Sequence, residues 1–244
     1  MVDRYLYPDV PVLKNKLDIK DEKTLDLVEA EQSRANMMLL YEQGLQHFSA
    51  DSLCFIHRFL FGDIYEWAGQ YRVINIEKRE ELLAGRSVWY SNDEEIPHDL
   101  DAIFQTIYKI PWDSLPRTDF VQEVARCFSK IWQIHPFREG NTRTVVMMLT
   151  LFVESHGYYM DQELMADSAG YVRNSFVMAS LGRFAEFEHL ERILMDAICE
   201  KPVEYSIEAL NTTDETTEPS KKYQKYQTEP YQPQPHYVRE ESQK

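Results

Sequence analysis

The sequence predicts an all-α bundle with one short β-hairpin and a disordered C-terminal tail. Three observations predict it. Apolar residues recur at helical spacing through most of the chain, the breaks between periodic stretches are short, and only two stretches alternate apolar with polar residues as strands do.

Residues 1–20 read as an extended lead-in, because Pro8 and Pro11 discourage helix. A helix is expected from Thr24 to Tyr41 on the spacing of Leu25, Val28, Ala35 and Leu39, with Gly44 as its stop. Leu53, Ile56 and Leu60 mark a second helix, capped by Ser49 or Asp51. Residues 72–76 (RVINI) and 86–90 (RSVWY) alternate around a loop containing Gly85, the pattern of a hairpin. Leu100, Ile103, Phe104 and Ile107 define a third helix. The strongest period follows Pro116 and Thr118: Phe120, Val124, Phe128, Ile131 and Trp132 share one helix face. After a break at His135–Asn141, Val145, Met148, Leu149 and Phe152 mark another helix, closed by Gly157. Two more are expected within 160–180 and 184–200. From about Tyr205 aliphatic residues all but vanish, so residues 205–244 bury too little apolar area to offset the entropy of ordering. The domain is expected to span residues 21–204.

With 43% hydrophobic and 27% charged residues over 244 positions, the chain is an ordinary globular protein in composition. A net charge of −15 makes duplex nucleic acid an unsuitable primary partner, because such binding needs a basic face. A nucleotide stays open, since a small phosphate site uses local backbone dipoles. Cys54, Cys127 and Cys199 are odd in number and set in apolar patterns, which suits free thiols in a reducing compartment. The N-terminus has no apolar leader segment, and no run reaches the ~18 apolar residues of a membrane span. Cytoplasmic synthesis is expected; export without a leader would leave no mark on the sequence. Self-association is equally open.

The stretch from Ile134 to Val146, I-HPFREGNTRT-VV, carries the chemistry. Any one of its residues alone would read as a loop between helices. Together they do more. Gly140 and Asn141 tolerate positive φ, so successive amides can form an anion nest that opens onto a helix N-terminus. Arg143, on the first turn, is placed to reach a phosphate oxygen. Glu139 beside a phosphate calls for a hard cation between them, and carboxylate plus phosphate oxygens is a usual way to hold Mg²⁺. His135 has the ordinary pKa of a base at neutral pH, ~6.5, and Phe137 is an apolar pin for the loop. A Walker loop is ruled out, because its Lys-Ser/Thr end and preceding strand are missing.

HPFREGNTR resembles the signature of the Fic (filamentation induced by cAMP) family, H-P-F-x-[D/E]-G-N-G-R-x-x-R. A second stretch, IHRFLFGDIYEWAGQYRVINIEK at 56–78, resembles the segment leading into that family's "flap" hairpin, and weaker likeness runs through Tyr171–Leu194. The resemblance implies a Fic fold transferring AMP from ATP to a hydroxyl of a target protein. It implies His135 as base, Glu139 as the Mg²⁺ carboxylate, and Gly140, Asn141, Thr142 and Arg143 as nucleotide-binding residues. It also implies a flap, carrying Ile74, Asn75 and Ile76, that seats the target by strand addition.

Two departures stand out. Thr142 occupies the position of the consensus second glycine, where its Cβ is expected to narrow the approach and disfavour a left-handed backbone. Val146 occupies that of the second arginine, removing a contact worth about 1.5–3 kcal/mol. The family's inhibitory pattern, [S/T]-x-x-x-E-[G/N], is also missing: Ser91…Glu95 and Thr150…Glu154 continue with Ile96 and Ser155. His57 and His98 read as core or surface residues, and Asp63 and Glu66 as structural carboxylates. The tail tyrosines Tyr223, Tyr226, Tyr231 and Tyr237 are candidate acceptors of self-modification, since a tethered hydroxyl has a high effective concentration. Two rival functions are weighed: transfer of another group (UMP, GMP, phosphate or phosphocholine) or removal of AMP, and a catalytically weak interaction protein.

Overall fold

The structure, a computed structural model, describes residues 3–200 and 225–226. Helix α1 (Glu22–Gln43) starts where the Asp21 carboxylate accepts from the Thr24 amide at 2.9 Å and ends at Gly44, whose φ is 71°. Helix α2 (Ala50–Phe61) is capped by Ser49, whose hydroxyl accepts from the Ser52 amide at 3.2 Å. Helices α3 (Ile96–Lys109), α4 (Arg117–Ile134) and α5 (Asn141–Ser155) follow the expected faces. Beyond them lie α6 (Gln162–Asp167), α7 (Ala169–Ala179) and α8 (Glu188–Ala197). The region expected to hold two helices therefore holds three, because the 160–180 stretch breaks at Ser168.

Helix α4 is the central rod. Phe120, Val124, Phe128, Ile131 and Trp132 are all buried, and α3, α5, α7 and α8 pack around it. Each such side chain contributes roughly 1.5–3 kcal/mol of burial. On the other side, α1 packs on α2 and α2 on α5. The lead-in belongs to this core: Tyr5 and Val12 are buried, and the Lys16 amide donates to the Ile64 carbonyl at 2.8 Å.

Among the described residues one short antiparallel strand pair forms, joining β1 (Tyr158–Met160) to β2 (Ile198–Glu200), with Tyr159 opposite Cys199. The stretch expected to be a hairpin, 72–90, is extended but forms only a single bridge, between Glu80 and Arg86, around a short turn at Glu81–Leu83. Its alternation is real in burial: Ile74, Ile76 and Lys78 are half-buried, while Val73, Asn75 and Glu77 are exposed. Alternation reports that one face is covered; it does not report whether the backbone pairs. All three cysteines are free, and only Cys127 is fully buried.

Of the tail, Tyr223, Tyr231 and Tyr237 lie outside the described residues. Tyr226 is described and buried, its hydroxyl donating to Asp196 Oδ2 at 2.6 Å and its ring edge-on to Tyr171 at 4.8 Å. As an acceptor of self-modification it is therefore covered by α8.

Candidate active site

The 135–140 loop joins the largely buried helices α4 and α5, and its geometry follows from that position. Helix α4 ends at His135, whose backbone is left-handed (φ 53°, ψ 58°), an uncommon state for a residue with a Cβ. Three groups hold it there. The His135 amide donates to the Trp132 carbonyl at 3.1 Å. Its own carbonyl accepts from Arg72 Nε at 2.9 Å. Its ring packs against Tyr90, with centroids 4.2 Å apart.

The ring contacts fix its tautomer. Nδ1 lies 3.2 Å from the Trp132 carbonyl, which can only accept, so Nδ1 carries the proton and Nε2 the lone pair. Nε2 is buried and has no partner, an orphan that the rest of the fold does not contain in any other histidine ring among the described residues. Burial first, then the charges of Lys78 and Arg72, hold the imidazole well below its usual pKa, so it is neutral at pH 7.

Past His135 the loop is braced internally. Asn141 accepts from the Phe137 amide at 2.9 Å and donates to the Phe137 carbonyl at 2.8 Å, so its side chain closes the turn. Phe137 is fully buried and stacks on His57 at 3.8 Å, the pin the sequence suggested. His57 itself is fixed by two bonds: the Gly69 amide donates to Nδ1 at 2.8 Å, and Nε2 donates to the Glu139 carbonyl at 2.9 Å. From outside, Arg138 grips Asp3 with two nitrogens at 2.9 and 2.7 Å.

Only Gly140 in the nest has positive φ, at 80°. The expectation that Asn141 would share this role is corrected, because Asn141 is already the first helical residue of α5. The same fact removes the conformational penalty expected at Thr142, which stands in the first turn, where no left-handed backbone is needed. Its hydroxyl accepts from Trp132 Nε1 at 2.9 Å. Helix α5 starts without a side-chain cap, so its first amides and its positive dipole end face the loop cavity.

That cavity, about 190 Å³, is lined by His135, Glu139, Gly140, Asn141, Thr142 and Arg143, with Lys78, Trp132 and Arg173 completing the wall. The sequence-predicted loop residues thus meet in one place. Glu139 is the single carboxylate among them. Burial would raise its pKa, but Lys78 Nζ at 3.1 Å and the Gly140 amide at 3.1 Å hold it at about 2. No cluster of three or more potential metal ligands exists among the described residues. One ionised carboxylate facing a phosphate cradle fits Mg²⁺, which keeps waters and takes one or two carboxylates plus substrate oxygens.

Five residues that the sequence reading did not single out complete the site. Glu29 on α1 is buried, pairs with Arg143 and accepts from the Tyr65 hydroxyl. Ser33 accepts from Arg143 Nη1 at 3.0 Å, and the guanidinium lies over the Phe61 ring at 4.8 Å. Lys78 and Arg173 enter the cavity from distant segments. Arg72, wholly buried, donates to the carbonyls of His135, Ile74 at 2.7 Å and Ser91, tying both stems of the 74–91 excursion to the loop. Ile74, Asn75 and Ile76 lie on that excursion, with Asn75 Oδ1 accepting from the Asp93 amide at 2.9 Å.

Comparison with known proteins points one way. Residues 47–153 match the model of the Fic/DOC family. A probable protein adenylyltransferase, y4lH, of Sinorhizobium fredii is 34% identical over 169 residues, covering 66% of this chain and 80% of that protein. A protein adenylyltransferase of Bartonella henselae is 30% identical over 196 residues; the match covers 76% of this chain but 36% of that protein. Among solved structures, BepC of Bartonella tribocorum with bound AMPPNP superposes with a TM-score of 0.70 at 21% identity, covering 81% of this chain and 97% of that one.

Proposed function

The chain belongs to the Fic/DOC family, and from that membership we propose that it is a protein adenylyltransferase whose base is His135. The reaction moves AMP from ATP to a hydroxyl of a target protein. The hydroxyl oxygen attacks the α-phosphorus, its proton passes to His135 Nε2, and pyrophosphate leaves with the bonding electrons.

The observation that carries the reading is the unpartnered, neutral Nε2 of His135, a residue that lines the same cavity as the uncapped start of α5. A positioned base contributes typically ~10²–10⁴-fold in rate. The α5 amides and Arg143 stabilise charge developing on the phosphate oxygens. Glu139 would hold Mg²⁺ against the phosphates, and the metal would supply neutralisation of their charge. Ile74, Asn75 and Ile76, which have no strand partner among the described residues, suit a target segment that pairs along the excursion.

Incubation with Mg²⁺ and ATP labelled at the α-phosphate, in a lysate and alone, tests the reading. Label on protein with the wild type, lost with His135→Ala and absent when the γ-phosphate is labelled, is the expected result. Equal labelling by His135→Ala, or transfer from a different nucleotide only, would reject it.

A further inference from the structure

The loop cavity carries more positive charge than the 135–143 segment brings to it. Lys78 reaches in from the 72–90 excursion and Arg173 from α7, joining Arg143, against the single carboxylate of Glu139. Each is held in place. The Lys78 amide donates to Ser87 Oγ at 3.1 Å, and its ammonium lies 3.1 Å from Glu139 Oε2. Arg173 is gripped from the other end by Glu80, with Nη2 to Oε1 and Nη1 to Oε2 both at 2.8 Å. The Glu80 side chain is 4% exposed and that of Arg173 41%, so the carboxylate is sunk in the wall and the guanidinium is left at its surface. This pairing uses two of the five N–H donors of the fork and leaves three. Sinking a carboxylate is costly in solvation, and the return is an arginine with one fixed orientation.

At the same time α5 offers a single cation. Three residues beyond Arg143 stands Val146, half-buried against the core. A nucleoside triphosphate brings several negative charges to a helix start, and one arginine already shared with Glu29 leaves most of them unmatched.

We propose that Lys78 and Arg173 bind the phosphate chain of the nucleotide, supplying from the excursion and from α7 the cationic contacts that position 146 does not. The assignment rests on the adenylyltransferase reading. Glu139, were it to hold a hard cation, would release the Lys78 ammonium it now pairs with, leaving that ammonium free for phosphate oxygens. Arg173 needs no such rearrangement.

Binding, not turnover, tests this. Wild type, Lys78→Gln and the double variant Arg173→Gln/Glu80→Gln are titrated by calorimetry with a nonhydrolysable ATP analogue and Mg²⁺. Adenosine at millimolar concentration, followed by ligand-observed NMR, is the phosphate-free probe. Thermal melting without ligand checks each fold. Arg173→Gln alone takes the place of the double variant if that one melts early. The analogue is expected to bind about tenfold or more weakly to each variant, with adenosine unchanged. Unchanged analogue affinity, or equal losses for both ligands, would overturn the assignment while leaving the adenylyltransferase reading intact. A wild type that binds neither ligand would overturn both.

Discussion

Glu29 on α1 holds the guanidinium of Arg143 on α5, so the arginine that lines the loop cavity is already paired with a buried carboxylate. The pair stands where that cavity adjoins a larger one, about 640 Å³, whose wall includes Glu29, Ser33, Tyr65, Glu139 and Arg143. A carboxylate here attracts the arginine and repels a phosphate. Glu29→Gln keeps the shape and removes the repulsion. Affinity for an ATP analogue should rise on the order of three- to tenfold, with a small fall in Tm, and calorimetry beside a melt would show both. A weaker-binding variant would mean that Glu29 positions Arg143 for the phosphate.

The pH dependence of activity follows from the burial of His135. Its pKa lies well below 6.5 in the folded protein, so the imidazole is already the free base throughout the neutral range. The plot of kcat/KM against pH should therefore run flat from about pH 8 through about 6.5, with its acid limb below the ordinary histidine value. A limb centred on 6.5 would contradict the buried-base geometry.

Stability has its own acid dependence. Burial holds His57 at about 3, against an ordinary 6.5, and Glu139 stands at about 2, against 4.5. Both folded values are depressed, so the unfolded chain binds more protons over these windows. Their contribution is complete above pH 6.5 and 4.5 respectively, and is lost as pH falls toward 3 and 2. Tm measured from pH 8 downward should hold until about 6.5 and then decline steadily.

Gly140 tolerates no side chain. Its φ is 80°, and a Cβ there would stand 2.5 Å from Cε2 of the Phe61 ring, itself fully buried. Left-handed strain and overpacking together should cost Gly140→Ala about 2–4 kcal/mol in denaturant unfolding. The loop would shift with it, so the variant should lose nucleotide affinity as well.

Restoring the family consensus at 142 should do harm. Thr142 Oγ1 is the acceptor for Trp132 Nε1, and Trp132 is 1% exposed on the central helix. Thr142→Gly orphans that N–H, worth about 1–3 kcal/mol. Urea unfolding of the variant should show the loss; a gain in stability would mean that water replaces the hydroxyl freely.

Much of this was legible in the sequence because it is local. The face of α4 repeats within a few residues, Ser49 sits beside the amides it caps, and the HPFREGNTR loop brings base, carboxylate and helix start together in nine consecutive positions. What escaped is held by long-range contact. Glu29 meets Arg143 across 114 residues and Arg72 meets His135 across 63, and neither pairing leaves a period or a spacing to read. The hairpin expected at 72–90 failed for a related reason. Its alternation was correct, but the Ile74 carbonyl is taken by the Arg72 side chain and the Lys78 amide by the Ser87 hydroxyl, which leaves only the Glu80–Arg86 bridge.

Arg72 makes the excursion and the base a single mechanical unit. One guanidinium, with no carboxylate bond among the described residues, spans the carbonyls of Ile74, Ser91 and His135. Lifting the excursion would withdraw the brace from the strained backbone that aims the imidazole. A guest that pries this rim open is expected to loosen the imidazole, and one that settles along it to keep it in place.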